Sequence, residues 1–545
     1  MGDEVFPILK YSYDNLPNGM IQSCFLYCSL YPEDYNIDKE KLIEHWIGEG
    51  FIREFEDMNE ARYQGHDIIG TLKLACLLES GDNEDSQVKM HDVIRDLALW
   101  IACKCGRKKD KFLVHELPRV KKLEIERISL IHKDITSLIE APMCPNLVTL
   151  LLNDNQKLES ISYGFFKFMT GLRVLDLSQT SIKEFPMEIV ELVKLQYLNL
   201  SSTLIKTIPG ELEKLVKLEY LNLNHTYRLT SIPLKVISRL PRLQVLNLYN
   251  NRFGDSEEDW GDDSDGSNLE KLECLKHLKV LGITIRTVAT LQRLCNSRKL
   301  SRCTNNLVIM ECQGLTSFSL SPPPPPPSSS SSSSSSSTPT LENMKGLNEL
   351  YFDYCFDLEE LTVSWIVAWE GENGFSSSLG KLSLSLLPNL KVVRAMSHCP
   401  CLQNLSFVDI NNCDALKDLT WLLVIRSLET LIVSNSEGIE EIICGGVAKV
   451  EEEFITFSRL KTMELNALPK LKSIYRHALP FPSLKVMNVS QCPELKKLPL
   501  DSNSAKNTLK RITGEQCWWN KLEWEDESVK YVFLPYLKRG TFSGF

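Results

Sequence analysis

The sequence predicts an α/β chain, a leucine-rich-repeat solenoid of horseshoe form preceded by a small winged-helix domain. Two observations carry this. The phrase L-x-x-L-x-L-x-x-[N/T/C] recurs along most of the 545 residues. The first 105 residues follow a different, helical rhythm that ends in a hairpin and one more helix.

The cleanest copies of the phrase begin at Leu147, Leu172, Leu195, Leu218 and Leu243, at offsets of 25, 23, 23 and 25 residues. The L-x-L centre alternates at period two, so each copy predicts a short strand with one buried face. The Asn, Thr or Cys three places on is suited to bonding the turning backbone. Further apolar anchors, such as Ile182, Phe185, Ile189 and Leu192, close the coil. One repeat cannot bury its own leucines, whereas stacked neighbours share a continuous core. A weaker copy lies upstream at Ile125. Others follow near Leu278, Leu307, Leu347, Leu379, Leu405, Leu428, Leu460, Leu484 and Leu509, several ending in cysteine (Cys355, Cys413, Cys492).

These copies divide the chain. A winged-helix domain takes residues 1–105 and a linker 106–122. Regular repeats occupy 123–251, irregular repeats 252–520 and a tail 521–545. Two inserts interrupt the irregular part. Residues 255–265 hold seven Asp or Glu and read as a solvated loop. Residues 321–340 contain Pro322–Pro327 and then Ser328–Ser337, a composition for polyproline II and unstructured coil.

In the first module, Leu9, Tyr13 and Leu16 form an apolar stripe that stops at Pro17. Asp38 is placed to cap a helix bearing Leu42, Ile43, Trp46 and Ile47, which stops at Gly48 and Gly50. Another helix is expected over 60–73. The segments 76–79 and 88–90 flank a polar loop as a hairpin. Val93, Ile94, Leu97, Ala98 and Ile101 then repeat at helical spacing. His91 and Asp92 lie where hairpin meets helix. Asp92 is expected to cap that helix, whose first N–H groups favour an anion, and His91 could donate to a phosphate oxygen. A structural donor is the competing reading of His91.

Composition bounds the function. No apolar run is long enough to cross a bilayer, and no secretory signal opens the chain. Met1-Gly2 begins like a myristoylation site, but Phe6 stands where Ser or Thr is wanted. The 17 cysteines form no framework of short spacings, which suits reduced thiols in a cytosolic protein and argues against a zinc site. Residues 1–105 carry 9 Lys/Arg and 20 Asp/Glu, a net of −11, which argues against nucleic acid as a partner. No G-x-S-x-G, H-E-x-x-H or distinctive carboxylate pair is present, so an enzyme is not expected.

Four segments, in order ahead of the repeats, carry a resemblance. They are Leu9-Lys-Tyr-Ser-Tyr-Asp-Asn-Leu-Pro17, Cys24-Phe-Leu-Tyr-Cys-Ser-Leu-Tyr-Pro-Glu-Asp34, Leu42-Ile-Glu-His-Trp-Ile-Gly-Glu-Gly-Phe-Ile52 and Val88-Lys-Met-His-Asp-Val-Ile-Arg-Asp-Leu-Ala-Leu-Trp-Ile-Ala102. The tail around Cys517-Trp-Trp519 fits with them. Together they resemble the plant nucleotide-binding leucine-rich-repeat (NB-ARC) disease-resistance proteins of the coiled-coil class.

The resemblance implies intracellular immune sensing and signal transduction. In that family the segment matching Met90-His91-Asp92 closes over ADP, and exchange for ATP opens the protein. The repeats supply autoinhibition and recognise a pathogen effector or a guarded host protein. A cytoplasmic location is implied, with peripheral attachment to the plasma membrane left open.

The sequence departs from the family in having no G-x-x-x-x-G-K-[ST] phosphate loop, as if it began inside the winged-helix region. His91 and Asp92 alone are therefore not expected to hold ADP or ATP tightly. The expected partner-binding positions are those alternating with the buried leucines: Asp176, Ser178, Asn199, Ser201, Asn222, Asn224, Asn247 and Tyr249. The alternative function is a protein-interaction adaptor without nucleotide, such as a ubiquitin-ligase substrate receptor.

Overall fold

Asp38 and Gly48 bracket the helix that matters most here. In the computed structural model, helix α3 spans Lys39–Gly48, and the Asp38 side chain accepts the Lys41 N–H at 2.9 Å. Its Leu42, Ile43 and Trp46 are buried, as their spacing requires. The structure describes residues 2–53, 55, 58–103, 112–114, 125–230, 234–250, 267–320, 344, 346–363, 379–395, 402–444, 457–524 and 526–539. The expected inserts at 255–265 and 321–340 lie outside the described residues, as does most of the expected linker. The chain divides into two units, Met1–Ile283 and Thr284–Phe545.

The first unit opens with the winged helix. Helix α1 spans Gly2–Asp14 and stops before Pro17. Asn18 caps α2, Gly19–Cys28. Helix α4, Met58–Leu74, packs on α3 so closely that a Cβ on Gly65 would fall 2.4 Å from Ile43. The hairpin is present, with β2 (Glu79–Ser80) antiparallel to β3 (Gln87–Lys89). A short strand that the spacing did not reveal, β1 (Ile37–Asp38), pairs with the other edge of β3. Helix α5, Asp92–Ala102, buries Leu97 and Ala98.

The regular repeats follow as one parallel sheet of very short strands. Leu150, Leu175, Leu198, Leu221, Leu246 and Leu281 stand in register across it. After each strand one residue turns left-handed, among them Asp154, Gln179, Ser202, His225 and Asn250. The next position then anchors the bend. Asn155 donates from Nδ2 to Leu130 O at 2.7 Å and Leu152 O at 2.8 Å, while its Oδ1 accepts Lys133 N–H at 2.8 Å. Thr180, Thr203 and Thr226 do the same with one hydroxyl each.

Two boundaries differ from expectation. Phe112–Val114, within the expected linker, is already a strand paired with Arg127–Ser129. The sheet also continues past residue 251 to Val280–Ile283, because Val245–Leu248 pairs with that segment across the insert.

The second unit has a parallel sheet of longer strands from Thr304–Gln313 to Leu537–Arg539. The copy read as starting near Leu307 starts at Thr304, because Leu307 stands opposite Leu350, the second leucine of its neighbour. Cys355, Cys413 and Cys492 take the asparagine role, their thiols donating to Ile309 O, Leu384 O and Leu465 O at 3.4–3.7 Å. The tail folds onto the last repeat. Its Leu537–Arg539 pairs with Arg511–Gly514, and Trp524 stacks on Phe533 over Trp519.

Replacing Asn155 by Ala removes bonds to three carbonyls and two backbone N–H groups inside the coil. The expected loss is about 3 kcal/mol, since each buried group left unpaired costs on the order of 1–3 kcal/mol. Chemical denaturation of wild type and variant measures it.

Candidate functional site

The strand register puts like positions side by side. Thr149, Val174, Tyr197, Tyr220, Val245 and Val280 form one row across the first unit's sheet. From Val174 onward the row is apolar and lies on the sheet's outer, strand-side surface. An apolar stripe of this length needs a cover. The winged helix supplies it, and Val174, Tyr197, Tyr220, Val245 and Val280 belong to the same buried cluster as Trp46, Ile43, Phe25 and Tyr31. Tyr197 and Tyr220 stack at 4.4 Å, with the end of α3 resting on Tyr197. A Cβ on Gly48 would fall 2.5 Å from that ring, so only glycine permits the approach.

Polar pairs flank this contact. His45, fully buried, bonds through Nε2 to Asp176 Oδ2 at 2.7 Å and through Nδ1 to Tyr31 Oη at 2.9 Å. An ionised Asp176 only accepts, so His45 carries a proton on Nε2. Glu49, buried at the end of α3, takes both arms of the Arg127 fork, at 3.1 and 2.7 Å, and also the Thr149 hydroxyl. Tyr35 donates to Asp154 Oδ2 at 2.9 Å, with Lys41 Nζ 3.4 Å from the same oxygen. Lys279 donates to Phe55 O at 2.7 Å and lies over the Phe55 ring.

The eight expected partner-binding residues are thus placed differently from expectation. Asp176, Ser178, Asn199, Asn222, Asn224 and Asn247 are buried, and Ser201 and Tyr249 are half-buried. Asp176 holds His45 and the Ser178 N–H. Asn199 and Asn222 accept the N–H two residues on, from Ser201 and Asn224. Asn224 accepts Tyr249 N–H, and the Tyr249 ring lies across Gly282. Period-two alternation assigned them to one face correctly, but it carries no information on what covers that face. His45, Glu49, Arg127 and the Tyr197–Tyr220 stack were not singled out. Their signal was there, an apolar residue repeated just before each central leucine, where a solvated sheet would carry polar ones.

His91 and Asp92 stay apart from this contact. His91 itself caps α5, its Nδ1 accepting Val93 N–H at 3.2 Å, and Asp92 is the first helical residue. The expectation that Asp92 caps the helix is corrected. Both residues are exposed.

Residues 30–98 match the winged-helix domain of disease resistance proteins, and residues 419–517 match the leucine-rich repeats of RPS2-like plant disease resistance proteins. Residues 124–366 match a leucine-rich repeat region. The disease resistance proteins RPS5 and SUMM2 of Arabidopsis thaliana are each 38% identical to the chain, covering 98% of it and 56% and 55% of their own lengths. The chain belongs to the plant disease-resistance family. It spans about half the length of the curated relatives it matches. Among solved structures, a leucine-rich-repeat protein of Leptospira interrogans aligns with a TM-score of 0.42 at 18% identity, over 81% of this chain and 98% of that one.

In this member of the family the contact is electrostatically tuned. Burial would raise the Asp176 carboxyl, but the bond from His45, nearby Lys41 and the Ser178 contact hold it below its ordinary value. Glu44 goes the other way. Burial pushes it up to about 7 against the pull of Tyr220 and Arg62, and Glu40 and Asp176 add to the rise. The covered state therefore binds a proton that a free winged helix, with Glu44 near 4.5, would release. This contribution is fully present below about pH 4.5 and is lost as pH rises through about 7.

Two outcomes follow from these groups. Protection of the Tyr197 and Tyr220 rings from hydroxyl-radical labelling, read by mass spectrometry, should fall as pH rises from about 4.5 to about 7. Glu44→Gln should flatten that dependence. Arg127→Ala leaves the Glu49 carboxylate buried without its fork and should weaken the contact by about 3–5 kcal/mol, read as increased labelling of both rings.

Proposed function

We propose that this chain is the recognition and restraint half of a plant immune receptor. One observation carries the reading. The strand face of its regular repeats is covered by its own winged helix, through a glycine-permitted apolar contact and the pairs His45–Asp176 and Glu49–Arg127. A partner that binds either surface better when uncovered shifts the balance toward separation. The partner class we assign is protein, a pathogen effector or a guarded host protein inside the cell. The strands of the second unit offer it a first contact. There the burial alternates as on an uncovered sheet, with Tyr351, Asp409, Ile432, Glu464 and Asn488 half-exposed in one row and Ser383 buried among them. No helix among the described residues is long and apolar enough to cross a membrane.

The ADP implied by the family fits these residues poorly. In the first turn of α5 the Val93 N–H is already spent on His91 Nδ1, and Ile94 and Arg95 N–H bond to His91 O. That leaves the ring Nε2–H and the Asp92 N–H as donors, beside the Asp92 carboxylate. Calorimetry of the chain should give an ADP dissociation constant no tighter than about 1 mM, a binding free energy of about 4 kcal/mol. A micromolar constant would overturn this.

The receptor reading is tested in plants. Gly48→Val drives a branched side chain into the Tyr197 ring and should release the winged helix, at a cost of about 1–3 kcal/mol. Expressed in a susceptible line, the chain should change the outcome of infection by at least one pathogen strain. The Gly48→Val form should shift that response. Unchanged infection across a strain panel, with both proteins accumulating, would sink the proposal.

A further inference from the structure

A cavity of about 340 Å³ lies beside the Gly48–Tyr197 contact, within the first unit. Its roof comes from the winged-helix segment between Ile47 and Phe55, and its floor from the repeats. Three floor residues are successive rungs of the row just before Tyr197, Tyr220 and Val245. These are Gln196, Glu219 and Gln244, all half-buried.

The Glu219 carboxylate receives one amide from each side, Gln196 Nε2 at 3.5 Å and Gln244 Nε2 at 3.4 Å. Both are long, so its oxygens retain capacity for shorter bonds. Two guanidiniums share the cavity. Arg53 is folded back by Gly50, whose carbonyl accepts its Nε at 2.6 Å, and among the described residues its terminal nitrogens have no hydrogen-bond partner. Arg242 has no hydrogen bond or ion pair among the described residues. Neither arginine closes onto Glu219.

A packed domain contact seldom keeps two cations, an under-used carboxylate and empty space together. The arrangement asks for a molecule that supplies an anion to the arginines and hydrogen-bond donors to the carboxylate. The volume sits at the small end of ligand pockets. Arg forks match carboxylate or phosphate geometry. The Phe55 ring and Ile52 give an apolar edge.

We propose that this cavity is a binding site for a small hydroxylated organic anion, held by Arg53 and Arg242 and donating to Glu219. Because roof and floor belong to different domains, such a ligand binds the covered state and stabilises it by linkage. The inference rests on the winged helix covering the repeats, as the proposed function does.

The full chain is titrated by calorimetry with citrate, glucose 6-phosphate and, as a neutral control, glucose. The first two separate a carboxylate from a phosphate source. The expected result is saturable binding of at least one anion, tighter than about 1 mM, with glucose silent. Arg242→Ala, at an exposed position, should weaken it at least about tenfold without lowering the melting temperature. Glu219→Gln should weaken the same anion, since a neutral amide accepts the ligand's hydroxyls less strongly. Absence of binding by both anions overturns the proposal, as does binding that Arg242→Ala and Arg53→Ala leave unchanged. Hydroxyl-radical labelling of the same samples separates the two readings. Protected Tyr197 and Tyr220 rings with no anion bound refute the site alone, whereas readily labelled rings refute the covered state itself.

Discussion

An apolar row on the open surface of a parallel sheet is the constraint behind the first unit. Repeats of 23 or 25 residues return each position to the same register. Whatever precedes the central leucine is therefore multiplied along the sheet, about 4.8 Å apart. When that residue is Val, Tyr, Tyr, Val, Val, the product is a continuous hydrophobic stripe. Such a stripe is not stable in water unless something lies on it. The winged helix does, and its α3 brings Trp46, Ile43 and the bare backbone of Gly48 to the stripe.

The polar pairs around the stripe do a different job from the stripe itself. Buried ion pairs contribute little net stability, because desolvation offsets most of their attraction. Breaking one is costly, however, because it strands a charge. His45–Asp176, Glu49–Arg127 and Tyr35–Asp154 therefore fix where the winged helix sits rather than how tightly it holds. The signs alternate across the contact: Lys41 reaches to an aspartate, while Glu49 reaches to an arginine. A winged helix slid by one repeat would lose every pair at once. The fourth group, Glu44, faces the buried Tyr220 hydroxyl, whose pull does not offset the cost of burying its charge. It is the member whose charge opposes the contact at neutral pH.

Most of the fold was legible because it repeats. Leucine spacing gave the sheet, its register and the buried face. The Asp38 cap, the hairpin and the α5 stripe gave the winged helix. What escaped was long-range. The strand at 112–114 is too short to show periodicity and is recognisable only by its pairing with Arg127–Ser129. Thr304, in place of a first leucine, moved one repeat three residues. Asp176 and Asn199 share a face, as alternation requires, but alternation is blind to a cover contributed from more than a hundred residues upstream. His91 fooled the capping rule because an imidazole with a bare Nδ1 accepts an N–H as a carboxylate would.

On the proposed function, the two sheets divide restraint and recognition between them. Along the second sheet, strand after strand shows the half-exposed, buried, half-exposed pattern of a face in contact with water. Its residues are mixed, with Glu464, Asp409, Ser383 and Asn488 beside Tyr351 and Ile432, and Lys381 lies over both Tyr351 and Phe407. Mixed surfaces of this kind stay soluble without a cover, which an all-apolar row does not. The position just before the central leucine separates the two sheets, with Val174, Tyr197, Tyr220, Val245 and Val280 on the first and Glu349, Lys381, Phe407, Thr430, Thr462 and Val486 on the second. Where it is apolar, the protein covers it with its own domain. Where it is polar or amphipathic, the face remains available to a partner, and a partner's energy of binding there costs no displaced contact. Recognition on the second sheet and restraint on the first, as proposed, then call for opposite chemistry at the same register position.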